Sequence, residues 1–77
     1  LKVKVELGGF YRDRLGRFHE VEIGDNATVE DVLKRLGIES GVDIILIKNG
    51  KHTKPEEPVK DGDQLVIFPP IGGGIFE

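Results

Sequence analysis

Cysteine is absent from the 77 residues, which removes any disulfide framework and any thiolate metal site. A reducing compartment suits such a chain, and the cytoplasm is the expected location. Long apolar runs are missing too. Nothing approaches the roughly 18 residues a membrane-spanning helix needs, and no signal peptide is read at the N-terminus. Charge of one sign does not dominate. Eleven Lys and Arg stand against fourteen Asp and Glu, a net charge of −3, and the basic residues are scattered. Neither nucleic acid nor a membrane is an expected partner. Length adds a limit of its own, because a chain this short holds one small domain with a modest core.

The pattern along the chain then supplies elements. Leu1, Val3, Val5 and Leu7 alternate with Lys2, Lys4 and Glu6, the period of a half-buried strand. Gly8-Gly9 ends it, and Phe10 to Arg17 is expected to be a loop. Phe18 to Ile23 is a second strand, antiparallel to the first. Its apolar members Phe18, Val21 and Ile23 slip phase by one residue, which a bulge would absorb. Thr28 is a helix N-cap with Asp31 three residues on, a variant of the capping box. Val29, Val32, Leu33 and Leu36 then share one helical face. Gly37 is placed to end the helix in a left-handed conformation, followed by Ile38 as its apolar partner.

Ile44-Ile45-Leu46-Ile47 predicts a short strand, either covered on both faces or keeping one face for a partner. Lys48-Asn49-Gly50-Lys51 predicts a tight turn into a short return strand over Lys51 to Thr53. Lys54 to Lys60 is a proline-containing loop. Asp61-Gly62 turns into a last strand, Gln64 to Phe68. One helix over one mixed sheet of four to five strands gives a two-layer α+β domain. Its expected inward residues are Val3, Val5, Val21, Val32, Leu33, Leu36, Leu46, Leu65 and Ile67. Val66 and Phe68 must then point outward, with Ile47 beside them.

The chain is organised around its C-terminal stretch beyond that strand, Pro69-Pro70-Ile71-Gly72-Gly73-Gly74-Ile75-Phe76-Glu77. Proline donates no backbone N–H, so the strand should stop at Pro69. Three glycines without Cβ atoms predict a thin, flexible tail. The division is therefore a domain over residues 1–68 and a tail over residues 69–77. A phosphate-cradling loop is excluded, because no helix with Lys and Ser or Thr comes after the glycines.

The run from Asp61-Gly62-Asp63 through the apolar strand to Pro69-Pro70 and Gly73-Gly74 resembles the C-terminus of the small sulfur-carrier proteins. These are the ubiquitin-like carriers of molybdopterin and thiamine biosynthesis. The proline pair looks like the molybdopterin carriers, and the Asn49-Gly50 turn with its short following loop looks like the thiamine carriers. One departure is plain: family carriers usually end at the second glycine, and this chain continues with Ile75-Phe76-Glu77.

The resemblance implies a β-grasp fold and a carrier rather than an enzyme. It implies that Gly74, presented on Gly72 and Gly73, is adenylated by a separate ATP-dependent enzyme; because Ile75 is β-branched and Phe76 bulky, a peptidase is expected to remove residues 75–77 first. A sulfur donor then converts the adenylated Gly74 to a thiocarboxylate. Phe68, Val66, Ile47, Pro69 and Pro70 are the expected docking residues for that enzyme or for the large subunit of a synthase. A lysine-conjugated protein modifier and an unprocessed interaction domain are the alternatives. No metal or cofactor is expected. Asp61 and Asp63 fall short of a calcium loop and suit a turn whose side chains bond the backbone. His19 and His52 have no nucleophile spaced beside them and are expected as surface strand residues.

Overall fold

The structure, a computed structural model, describes residues 1–38 and 44–69. Among these, five strands form one mixed sheet: β1 (Lys2–Leu7), β2 (Phe18–Glu22), β3 (Ile45–Lys48), β4 (Lys51–His52) and β5 (Gln64–Phe68). Their spatial order is β2-β1-β5-β3-β4. The first and last strands of the chain thus lie side by side and parallel at the centre, with Val5 opposite Leu65 and Leu7 opposite Ile67. Strands β2 and β3 flank them antiparallel.

Helix α2 (Val29–Leu36) covers one face, and its ends match the sequence signals. The Thr28 backbone N–H donates to Asp31 Oδ2 at 2.9 Å, and the Asp31 N–H donates back to Thr28 Oγ1 at 3.4 Å. Two further N–H groups of the first turn donate to loop carbonyls, Val29 to Glu57 and Glu30 to Pro55. The loop after β4 therefore satisfies donors that the helix itself leaves open. Gly37 ends the helix at φ 77°, where a residue with a Cβ would be strained. Ile38 is buried behind it.

The core lies between α2 and the sheet. Val3, Val5, Val21, Val32, Leu33, Leu46, Leu65 and Ile67 are buried as their periods require. Leu7, Ala27, Val29, Ile38 and Val59 complete the core. Val59 belongs to the loop before β5. A backbone bond from its N–H to the Ala27 carbonyl, 3.0 Å, holds it there. Leu36 departs from expectation, being only half-buried: it is the last residue of α2 and packs against the edge of the core.

Two local expectations are corrected. Residues Phe10 to Arg17 are not a loop: Gly9–Leu15 forms helix α1, so the domain has two described helices where one was predicted. Seven residues are too few to be helical on their own, and α1 has no side-chain N-cap and no acidic first turn. Its base supplies the order. The Leu7 N–H donates to the Arg17 carbonyl at 2.7 Å, so β1 and β2 pair right up to the insertion. The Gly16 N–H closes the helix end on the Arg12 carbonyl.

No bulge appears in β2. Its register with β1 is unbroken from Glu22 to Phe18. The phase slip is resolved by turning Phe18 to the outer face, where it is 71 % exposed.

Candidate functional site: the outer sheet face and the exit of the last strand

The sheet face opposite α2 carries no helix among the described residues. Strand alternation sends Val66 and Phe68 of β5 to this face. Cross-strand pairing then places Ile47 opposite Val66 and Ile45 opposite Phe68. Ile45, Ile47 and Val66 are half-buried, and Phe68 is 37 % exposed. The sequence-predicted Val66, Phe68 and Ile47 are thus brought together. Ile45 is an addition that the continuous apolar run had hidden. Only Leu46 of that run is buried on the helix side, so β3 is a strand with one free apolar face.

Phe18 extends the face toward β2. It stands opposite Glu6, which in turn stands opposite Val66. The Arg17 guanidinium lies 5.1 Å from the Phe18 ring centroid and pairs with Glu6 at 3.1 Å. Between Phe18 and Val66 lies a shallow depression of about 530 Å³ over Lys4, Glu6 and Gln64. The apolar pattern groups Phe18 with Val21 and Ile23 across a bulge and not with the outer face. The signal that could have found it was the phase itself, since Phe18 shares parity with the outward Glu20 and Glu22.

Strand β5 ends at Phe68, as the proline pair predicts. Pro69 is half-buried at the exit. The Phe68 ring and the Pro69 ring lie against Gly8 and Gly9. Pro70, Gly72, Gly73, Gly74 and residues 75–77 lie outside the described residues.

The turn that feeds β5 is held by its aspartates. Asp61 Oδ1 accepts from the Lys2 N–H at 2.7 Å, and Asp63 Oδ2 accepts from the Lys60 N–H at 2.7 Å. Asp63 Oδ1 also accepts from the Asn49 side-chain amide at 2.9 Å. Asn49 returns an acceptor to the Gln64 N–H at 3.0 Å, tying the β3–β4 turn to the start of β5. Partial burial pushes the Asp63 carboxyl up. The Asn49 and Lys60 hydrogen bonds and the Lys48 and Lys60 charges outweigh that and hold it below its usual range. Both aspartates therefore act on the backbone, as the turn reading expects. His19 reaches only the Gly16 carbonyl, at 3.1 Å, and His52 is exposed on β4. No group of His, Cys, Asp and Glu among the described residues is arranged for a metal.

A five-stranded mixed sheet, with its terminal strands parallel at the centre and a capped helix over one face, defines a ubiquitin-like β-grasp domain. The ThiS family model matches residues 5–74, and the chain belongs to that family of sulfur carriers. A molybdopterin synthase sulfur carrier subunit from Chlamydomonas reinhardtii is 33% identical over 61 residues, covering 69% of this chain and 74% of the relative. Among solved structures, small archaeal modifier protein 1 of Haloferax volcanii superposes with a TM-score of 0.81 at 25% identity, over 91% of this chain and 98% of that one. Subunit 1 of a molybdopterin converting factor from Pyrococcus furiosus gives 0.78 at 26%, over 92% and 99%. The protein is accordingly a carrier in the molybdopterin and thiamine class of biosynthesis, not itself the catalyst. No helix among the described residues is long and apolar enough to cross a membrane.

Proposed function

We propose that this protein carries sulfur on Gly74, once the residues beyond it have been removed, and delivers it as a thiocarboxylate. One observation carries the reading. The central strand stops at Phe68 beside an apolar face that no described helix covers, and the family match continues through the prolines to Gly74 and ends there. A domain of residues 1–68 then serves as the handle, and residues 69–74 as the arm.

The chemistry explains the parts. A carboxylate has no adequate leaving group, so ATP first converts it to an acyl adenylate, releasing pyrophosphate. The terminal sulfur of a donor persulfide attacks the carbonyl carbon and expels AMP. A second thiol then reduces the resulting acyl disulfide, leaving the thiocarboxylate. The arm must be slim to reach an enclosed nucleotide site, which glycine provides. Ile75 is β-branched and stiff, and Phe76 is bulky, so they favour an inactive precursor. Val66, Phe68, Ile47 and Pro69, with Pro70 beyond them, form the face that docks on the adenylating enzyme or on a synthase large subunit. A cytoplasmic location suits that chemistry.

The test compares the full chain with one stopped at Gly74, each given the adenylating enzyme, ATP and a sulfur donor. Intact-mass measurement should show oxygen-to-sulfur exchange only in the shortened form. Equal exchange in both would remove the processing step. Exchange in neither would favour a plain interaction domain.

A second reading, a modifier joined through Gly74 to target lysines, is favoured by the likeness to small archaeal modifier protein 1. It shares the adenylation step. A Gly-Gly remnant on lysines of other proteins after proteolysis would distinguish it.

A further inference from the structure

The glycine pair after β1 does more than end a strand. The Gly8 N–H and the missing side chains of both glycines bear on the exit of β5. The Gly8 N–H donates to the Ile67 carbonyl at 2.9 Å, so the central parallel pairing runs one residue past β1. Gly8 is buried, with φ −120° and ψ 172°. Any residue adopts that conformation, so it is the Phe68 ring, and not the backbone, that favours glycine here. A Cβ at Gly8 would overlap the Phe68 ring. Gly9 differs. Its φ is +57°, and a Cβ there would stand 2.6 Å from Pro69 Cγ and 2.9 Å from Cδ. Both spacings are tighter than carbon contacts allow.

From these contacts we infer that Gly8-Gly9 is a saddle that seats Phe68 and Pro69 and thereby sets the direction in which the C-terminal arm leaves the sheet. Two rings from consecutive residues rest on two consecutive glycines across the strand pair. Proline already fixes φ at Pro69. With its ring also seated, the first step of the arm is fixed to the domain rather than free to swing. The two glycines are positioning residues, acting through Phe68 and Pro69. This rests on the carrier reading for its purpose, because a reactive carboxylate gains from an arm already aimed at its target. The geometric claim itself is independent of that chemistry.

The experiment exploits the absence of cysteine. Ile71→Cys in the full chain takes a single nitroxide label two residues past Pro69, and amide NMR maps which parts of the domain it broadens. The parent should show broadening on one side of the sheet's exit end. Gly9→Ala should redistribute it, with β1 and β5 amide shifts otherwise retained. Pro69→Ala and the double variant Gly9→Ala/Pro69→Ala should match each other, because without the ring the added Cβ has nothing to meet. An even pattern in the parent, or one unchanged by Gly9→Ala, overturns the saddle. A double variant that adds the two single effects also overturns it, since strain at positive φ would then be the cause.

The same variants stopped at Gly74 give a kinetic readout with the adenylating enzyme. Gly9→Ala should lower kcat on the order of tenfold or more, as misplacing a reacting group does, with KM little changed. Gly8→Ala, which displaces Phe68, should raise KM instead. A parent that accepts no AMP removes the carrier reading, and the label pattern still decides the saddle. A parent that accepts AMP with Gly9→Ala kinetically identical removes the saddle's role and leaves the carrier reading standing.

Discussion

The two faces of the sheet are built from the same strands and do opposite work. On the helix side, Val3, Val5, Leu65 and Ile67 are almost wholly excluded from solvent beneath α2. On the other side, the alternate positions carry Lys4, Glu6, Gln64, Val66 and Phe68, with nothing described above them. Burial on the first face provides stability. Residual exposure on the second leaves the apolar surface that the proposed docking uses. The contrast teaches that exposed apolar side chains here are not packing failures: Phe68 is seated on Gly8, and Phe18 is steadied by Arg17.

The contrast can be broken most forcefully from the inside. Leu33→Ala removes a fully buried side chain from the centre of α2 and should cost about 2–5 kcal/mol in a denaturant or thermal melt. Half-buried Leu36→Ala should cost clearly less. Equal losses at the two positions would mean that the helix face is wrongly assigned.

On the outer face the order reverses. Phe68→Ala should weaken binding to the adenylating enzyme by roughly 2 kcal/mol, the scale of an aromatic anchor, in a titration followed by calorimetry. Its melting temperature should move far less than that of Leu33→Ala. Unaltered affinity would take Phe68 out of the docking surface.

Thr28→Ala tests the helix-side architecture more gently. Loss of the reciprocal cap with Asp31 should cost about 1 kcal/mol. Because loop carbonyls at Pro55 and Glu57 still hold the Val29 and Glu30 N–H groups, the helix should persist, with amide exchange quickened at Asp31, whose N–H loses Thr28 Oγ1, and little changed at residues 29 and 30.

The smallest effect concerns pH. The folded Asp63 carboxyl titrates below its usual value of 3.8. Its stabilisation is therefore present above that unfolded value and is lost as pH falls through the lower folded one. Asp63→Asn should be less stable than the parent near neutrality, with the gap closing in acid. A gap that is constant down to strong acid would show that the Asn49 and Lys60 bonds do not depend on the ionised form. The partners are largely exposed, so the effect is modest.

Helix α2 was legible from end to end because its signals are local: a cap, a 3.6-residue period and a glycine at positive φ. Helix α1 was not. Its charged sequence carries no cap, and none of its residues is fully buried, so the closure of β1 against β2 at its base and the packing of Tyr11 against the core order it. The candidate site divides the same way. Alternation alone turned Val66 and Phe68 outward, and proline alone ended β5. Alternation also permitted Phe18 on either side of an assumed bulge, and the unbroken pairing of Glu6 with Phe18 decided for the outer face.

By itself, then, the sequence determined the elements whose causes lie within a few residues: the strands, the capped helix, the Asn49-Gly50 turn, the proline stop and the glycine run. Only the tertiary structure decided what depends on residues far apart in the chain. It laid β1 beside β5, brought Ile45 and Ile47 against Phe68 and Val66, drew the loop at Val59 into the core, and seated Phe68 and Pro69 on Gly8 and Gly9. The physical reason is that a glycine's lack of a side chain has no meaning in sequence until a distant ring occupies the space it leaves.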